Sequence, residues 1–160
     1  MFKQLICHSL LIAACTLTAF QAQAVPSQTL NLQDVLVTLS AGTQVSVTLN
    51  EEFSADEVSV GNALDFFVRS NITVNGKVVI AAGATATGWV KKVKTSCEGK
   101  CSEITFTVES VQAVDGQTVN LRSIPHVVKV PCCGSDKTNA NANIGTNLTA
   151  RVLNDIKIEA

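Results

Sequence analysis

The sequence predicts an all-β domain, a small closed or nearly closed β-barrel of about nine or ten short strands, with a β-sandwich as the alternative. Three observations carry that expectation. Apolar residues alternate with polar ones at period two, branched side chains that suit a pleated surface are abundant, and tight-turn dipeptides separate the alternating runs. A barrel is preferred because one-sided alternation needs a single enclosed core and closure removes exposed strand edges.

Residues 1 to 24 read as an export signal. Lys3 gives the positive start, Leu5 to Phe20 is a mostly apolar run without Asp, Glu, Lys or Arg, and Ala22-Gln23-Ala24 supplies the small-x-small pattern for cleavage between Ala24 and Val25. A competing route is lipidation of Cys15 in Ile12-Ala13-Ala14-Cys15, but the apolar run continues past that cysteine through Phe20. The apolar run is short for a transmembrane anchor and is interrupted by His8 and Ser9. The expected domain is residues 25–160, periplasmic or secreted, with no transmembrane span.

Along that domain lie 21 valines and 14 threonines, residues whose branched side chains favour strands. Val35, Val37 and Leu39 share one face. Val45, Val47 and Leu49 do so after Ala41-Gly42, as do Leu64, Phe66 and Val68, and later Ile104, Phe106 and Val108. Asn75-Gly76 between Ile72-Thr73-Val74 and Lys77 to Ile80 is a strong hairpin signal, and Asp115-Gly116 is expected to act likewise. Gly42, Gly61, Gly83 and Gly88 punctuate the rest. Ser54-Ala55-Asp56-Glu57 alone looks helical, a turn or two with Ser54 capping and Glu57 reaching back. Lys91, Lys92 and Lys94 mark a basic strand edge. Lys137 to Asn143 reads as an exposed polar loop before a final strand from Ile144 to Ile158. The pentapeptide Gly42 to Ser46 echoes Gly145 to Thr149, which a shared turn-into-strand geometry would explain.

The chemical inventory restricts function. Beyond the leader the chain has 11 basic and 13 acidic residues, a balance with no electrostatic reason to approach a phosphate backbone, so nucleic acid is excluded as a partner. There is no tyrosine, and His126 is the one histidine outside the leader. A catalytic pair based on histidine would have to use it, and it reads more simply as a strand residue with one wet face. Phe53, Phe66, Phe67, Phe106 and Trp89 are few enough to be taken up mostly by a core. No enzyme and no cofactor is expected. Glu51, Glu52, Asp56 and Glu57 lack the glycine turn and ligand ladder of a calcium loop and read as solvated.

Ala41 to Val90 resembles a known pattern. Gly42-Thr43 before an alternating strand, Ser54, Gly61, Leu64 to Val68, Val74 to Ile80 and Gly83 to Gly88 form an ordered series similar to one in secreted bacterial β-domains. More distantly, the series resembles the C-terminal barrel of the envelope scaffold proteins of conjugation and type IV secretion systems. The chain departs from those scaffolds in having Ala81-Ala82 where proline and lysine usually precede the glycine. The resemblance implies an envelope-exposed barrel with a scaffolding or binding role toward an envelope protein or surface.

Four cysteines remain in the domain: Cys97 and Cys101 in one connection, Cys132 and Cys133 in another. In an exported protein an even number of cysteines indicates disulfides. Of the three connectivities, the two that join the loops avoid a strained ring between adjacent Cys132 and Cys133. The alternative is a small metal protein holding zinc or copper(I) by these four thiolates, although neither spacing is that of a usual site. A redox role would require a Cys-x-x-Cys at a helix start, which is absent from the sequence.

Overall fold

The computed structural model describes residues 36–95, 101–130 and 139–160. The expected cleavage junction Ala24–Val25, Cys15, Val35, Cys97, Cys132 and Cys133 lie outside the described residues. Among the described residues the chain forms strands and turns and no helix. In chain order the strands are β1 (Leu36–Leu39), β2 (Gln44–Leu49), β3 (Phe53–Ser54), β4 (Ala63–Val68), β5 (Ile72–Val74), β6 (Lys77–Ile80) and β7 (Thr85–Lys94). They continue with β8 (Ser102–Gln112), β9 (Thr118–Ser123), β10 (His126–Val130), β11 (Asn141–Ala142), β12 (Asn147–Val152) and β13 (Ile156–Glu159).

Six strands close a barrel in the order β2, β4, β7, β8, β9, β12 and back to β2, each pairing antiparallel. The barrel, not the sandwich, is therefore the architecture. Strand β10 adds to the same edge of β8 that β9 uses, one strand beyond the closed ring. The strand total of thirteen exceeds the expected nine or ten because short pieces pair with each other: β3 with β11, β5 with β6, and β1 with β13.

The alternation decides which face is inside. Val45, Val47 and Leu49, Leu64, Phe66 and Val68, and Ile104, Phe106 and Val108 are all buried in one core, while their sequence neighbours are mostly less buried. Phe106 is central to it, with Phe53 edge-on at 5.5 Å and Phe66 stacked at 6.2 Å between ring centroids. Burying each such ring contributes about 1.5–3 kcal/mol. Phe67 and Trp89 stay 38% exposed on the outer face, so the core takes up three of the five aromatics and not the other two.

Gly88 sits within β7 and does not punctuate a turn. A Cβ built there would lie 1.9 Å from the Thr107 carbonyl oxygen and 2.8 Å from a Phe66 ring carbon. The β7–β8 register shifts between Thr87 and Gly88, so the two backbones approach where only glycine fits.

Turns follow the expected chemistry with instructive exceptions. Asn75 (φ 52°) and Gly76 (φ 79°) are both left-handed, as a two-residue hairpin turn requires. At Asp115-Gly116 only Gly116 is left-handed, and Ala113 N–H donates to the Gln117 carbonyl, making a longer turn than the dipeptide alone indicates. Burial raises the Asp115 pKa, but hydrogen bonds from the Gln117 backbone and side chain and the Glu159 backbone outweigh it and hold the carboxyl below its ordinary value. Ser54 to Glu57 is not helical. The Glu57 carboxylate accepts the Ser54 N–H at 2.9 Å, the capping contact the spacing implied, but the chain makes a single turn after β3.

The Gly-Thr echo has a structural meaning. Strands β2 and β12 pair antiparallel, and each begins with one of the two turns. Gly42 N–H donates to Val152 and Gly145 N–H to Leu49, the last residue of the partner strand in each case. Each threonine hydroxyl donates three residues back, Thr43 to Ser40 and Thr146 to Asn143. The shared turn-into-strand geometry accounts for the repeat.

Two expectations about the C-terminal part are corrected. Asn139 to Asn143 is not an exposed loop: Ala140 and Ala142 are buried, and β11 pairs with β3. Alternating asparagine and alanine is itself a period-two signal, with alanine the inward residue. The expected final strand from Ile144 to Ile158 is two strands, β12 and β13, because Leu153 to Asp155 break the ladder.

Gly88→Ala is expected to lower stability by about 3 kcal/mol, because the obstacle is backbone that cannot rotate away. A thermal melt should show a midpoint lower by roughly 10 °C; an unchanged midpoint would contradict the close approach of β7 to β8.

Candidate functional site

The outer wall has an opening produced by strand registry. Ser110 pairs with Asn120, and Phe106 pairs with His126. Six residue steps along β9 and β10 thus face four along β8. The extra length bows outward at Leu121 to Pro125. There β9 leaves β8 and pairs with β12 instead, at Leu121↔Val152, Arg122↔Arg151 and Ser123↔Ala150. Ser123 bridges part of the gap by accepting the Val108 N–H on its hydroxyl at 2.8 Å.

Two adjoining depressions result. One, of about 320 Å³, lies over the gap between Thr107–Glu109 and Asn120–Ser123. The second, of about 500 Å³, lies between the Gly42 turn, Ile124-Pro125 and Arg151 to Leu153. Arg122, Ser123 and Leu153 line both. Ile124 is 86% exposed and Leu153 44% exposed, so the floor and rim present apolar surface to water.

Arg122 and Arg151 are directly opposite on β9 and β12, both exposed. Directly opposed residues hold their Cβ atoms about 5 Å apart, and like charges there are destabilising. Arg151 is anchored by one guanidinium hydrogen bond to the Gly42 carbonyl at 3.0 Å. Among the described residues no carboxylate comes within ion-pair distance of either arginine; the described ion pairs are Lys91–Glu109, Lys92–Glu103 and Lys129–Glu103. The backbone N–H groups of Gly42, Val152 and Leu153 are engaged with Val152, Thr43 and Asn120 carbonyls. The guanidinium groups and the apolar side chains remain available for recognition in the groove.

Neither arginine was singled out by sequence. They stand 29 positions apart, and only the β9–β12 register makes them neighbours. A partial signal exists in Leu121-Arg122-Ser123-Ile124-Pro125, where a proline, which cannot donate to a ladder, follows an apolar residue at a strand end.

Cys101 lies elsewhere: it is exposed and directly precedes β8. Next to it, buried Ser102 donates its hydroxyl to the Lys94 carbonyl at 2.9 Å and accepts the Ala140 N–H at 2.8 Å, tying β7, β8 and the β3–β11 pair together. Strand β10 ends at Val130, opposite Ser102.

The remaining candidates have local explanations. The His126 ring lies 5.1 Å from Phe106 and tilted across it, as a strand residue packed on β8. Asp56 is held below its ordinary pKa first by the Ser54 hydroxyl, and then by hydrogen bonds from its own backbone and from Asn139. Glu103 is lowered first by its hydrogen bond from Lys92 and further by the charges of Lys129 and Lys94. Glu51 and Glu52 are exposed. The Lys91 to Lys94 stretch runs past the β4 pairing as an open edge among the described residues, where β7 pairs with β8 alone. No group of three or more histidine, cysteine or acidic side chains converges among the described residues, and none of their helices is long and apolar enough to cross a membrane. The chain matches no protein-family model and no curated protein sequence.

Proposed function

We propose that this chain is an exported, non-catalytic envelope module that binds a partner through the two-arginine groove, with its two cysteine-bearing connections stapled by disulfides. The observation that carries the reading is the pair Arg122 and Arg151, opposed across a ladder without an acidic partner among the described residues and flanked by exposed Ile124 and Leu153. Such an arrangement costs stability in the free protein and is relieved by a ligand of opposite charge. The export pattern ending at Ala24 supports an extracytoplasmic setting, and the likeness to envelope scaffold barrels is consistent with a binding role.

For the staple, Cys97 and Cys101 each pair with one of Cys132 and Cys133. Support comes from the register that ends β10 at Val130, two residues before Cys132, opposite the residue after Cys101. The barrel then serves as a rigid frame whose outer wall presents the groove.

A photoreactive amino acid in place of Leu153 is expected to give one discrete adduct in the envelope fraction. The adduct should disappear in the Arg122→Gln/Arg151→Gln double variant, and the same probe at exposed Thr73 should give none. No adduct at Leu153, or one indifferent to both arginines, would contradict the reading.

Thiol counting on the exported protein, denatured without reductant, is expected to find none free. Reductant should lower the melting midpoint by several degrees or more, the effect of losing a cross-link worth about 3 kcal/mol. Four reactive thiols with one bound zinc or copper ion would replace the staple by a metal site.

A further inference from the structure

We infer that the occupant of the groove is an acidic, partly apolar peptide segment of a protein partner, its carboxylates taken by Arg122 and Arg151 and its apolar side chains by Ile124 and Leu153. The inference rests on the binding reading above and adds the chemical class of the ligand.

Three features select this class. First, the groove is amphiphilic: two guanidinium groups sit beside exposed Ile124 and Leu153 within about 500 Å³. Arginine presents a planar fork of donors that fits a carboxylate through two parallel hydrogen bonds. Second, phosphate sites usually add backbone N–H donors. Here those of Gly42, Val152 and Leu153 are engaged in the fold, which leaves the two guanidinium forks as the main charged donors, a set that suits side-chain carboxylates. Third, an anionic membrane surface calls for clusters of about four to eight basic residues. The groove has two, and the neighbouring depression ends at Glu109, which is paired with Lys91. The continuity of the two depressions through Arg122, Ser123 and Leu153 suits an extended segment lying along the wall more than a compact ligand. Ser123 uses its oxygen to accept the Val108 N–H, leaving the hydroxyl proton available to a peptide carbonyl.

The test uses the exported protein with its native cysteines and a fluorescein-labelled peptide of alternating leucine and glutamate, six residues long, read by fluorescence anisotropy. Saturable binding is expected. It should weaken about tenfold or more in Arg122→Gln and in Arg151→Gln, as for loss of a charge-assisted contact, and should weaken with added salt. Arg122→Gln should melt at or above the wild-type midpoint, because it relieves the like-charge opposition, and Arg151→Gln, which also gives up the bond to the Gly42 carbonyl, should still melt cooperatively close to it; this separates lost recognition from lost folding. The leucine–lysine counterpart should not bind. Absence of saturable binding to the acidic peptide, equal binding of the basic one, or binding only to phosphatidylglycerol vesicles would overturn the inference. If the acidic peptide fails while the Leu153 adduct persists and still needs the arginines, the ligand class falls and the binding-module reading stands.

Discussion

Strand β8 has one edge and two claimants for it. Its Ser110 to Gln112 pair with β9 and its Ser102 to Phe106 pair with β10, and between them the opposing chain carries two residues more than the ladder can use. Everything distinctive about this barrel depends on that mismatch. A straight continuation would seal the wall. Instead Leu121 to Ser123 cross to β12, which closes the ring from the other side, and Ile124-Pro125 return the chain to β8. The displacement is an even number of residues, so like faces still oppose each other in both ladders, half-buried Ser110 with exposed Asn120 and buried Phe106 with half-buried His126. Leu121 and Ile104 both remain in the core while Arg122 faces out. The wall gains a groove without the core losing a residue.

Closure elsewhere is tight. Gly88 allows β7 and β8 to meet where any side chain would strike the Thr107 carbonyl. The β2–β12 pair is finished at both ends by equivalent Gly-Thr turns, so each strand's last residue receives a hydrogen bond from the glycine that opens its partner. The side chain of Ser102 secures the tip of β7 and the β3–β11 pair at the start of β8. Against this frame the bowed segment departs from its ladder to present apolar residues and paired cations to solvent.

The fold was legible because its signal is local. Period-two alternation named the inward residues of β1, β2, β4 and β8, and Asn75-Gly76 named its own turn, since each depends on neighbours within a few positions. What sequence missed depends on register. Gly88 looks like punctuation until β8 is laid beside β7, and Asn141 to Asn143 look like loop until Phe53 and Ser54 are brought alongside. In the Ser54-x-x-Glu57 pattern Glu57 does reach back to the Ser54 N–H, but the Ser54 hydroxyl turns to Asp56 and no helix follows, because the backward contact forms in an isolated turn as readily as in a helical one. The groove was invisible for the same reason: Arg122 and Arg151 lie on strands joined only through closure, and no local pattern relates them. The cysteines, conversely, are conspicuous in sequence, yet the one among the described residues, Cys101, does not line the groove.

The central claim is that the two surplus residues create the site. Deleting Ile124 and Pro125 removes the six-against-four mismatch, leaving four residue steps from Asn120 to His126 against the four from Ser110 to Phe106. Anisotropy titration of the folded deletion variant with the acidic leucine–glutamate peptide is the most direct measurement, with far-ultraviolet circular dichroism confirming a strand spectrum. The account predicts a β-rich, cooperatively melting protein that no longer binds the peptide although both arginines remain. A folded deletion variant that binds as tightly as the wild type would contradict it.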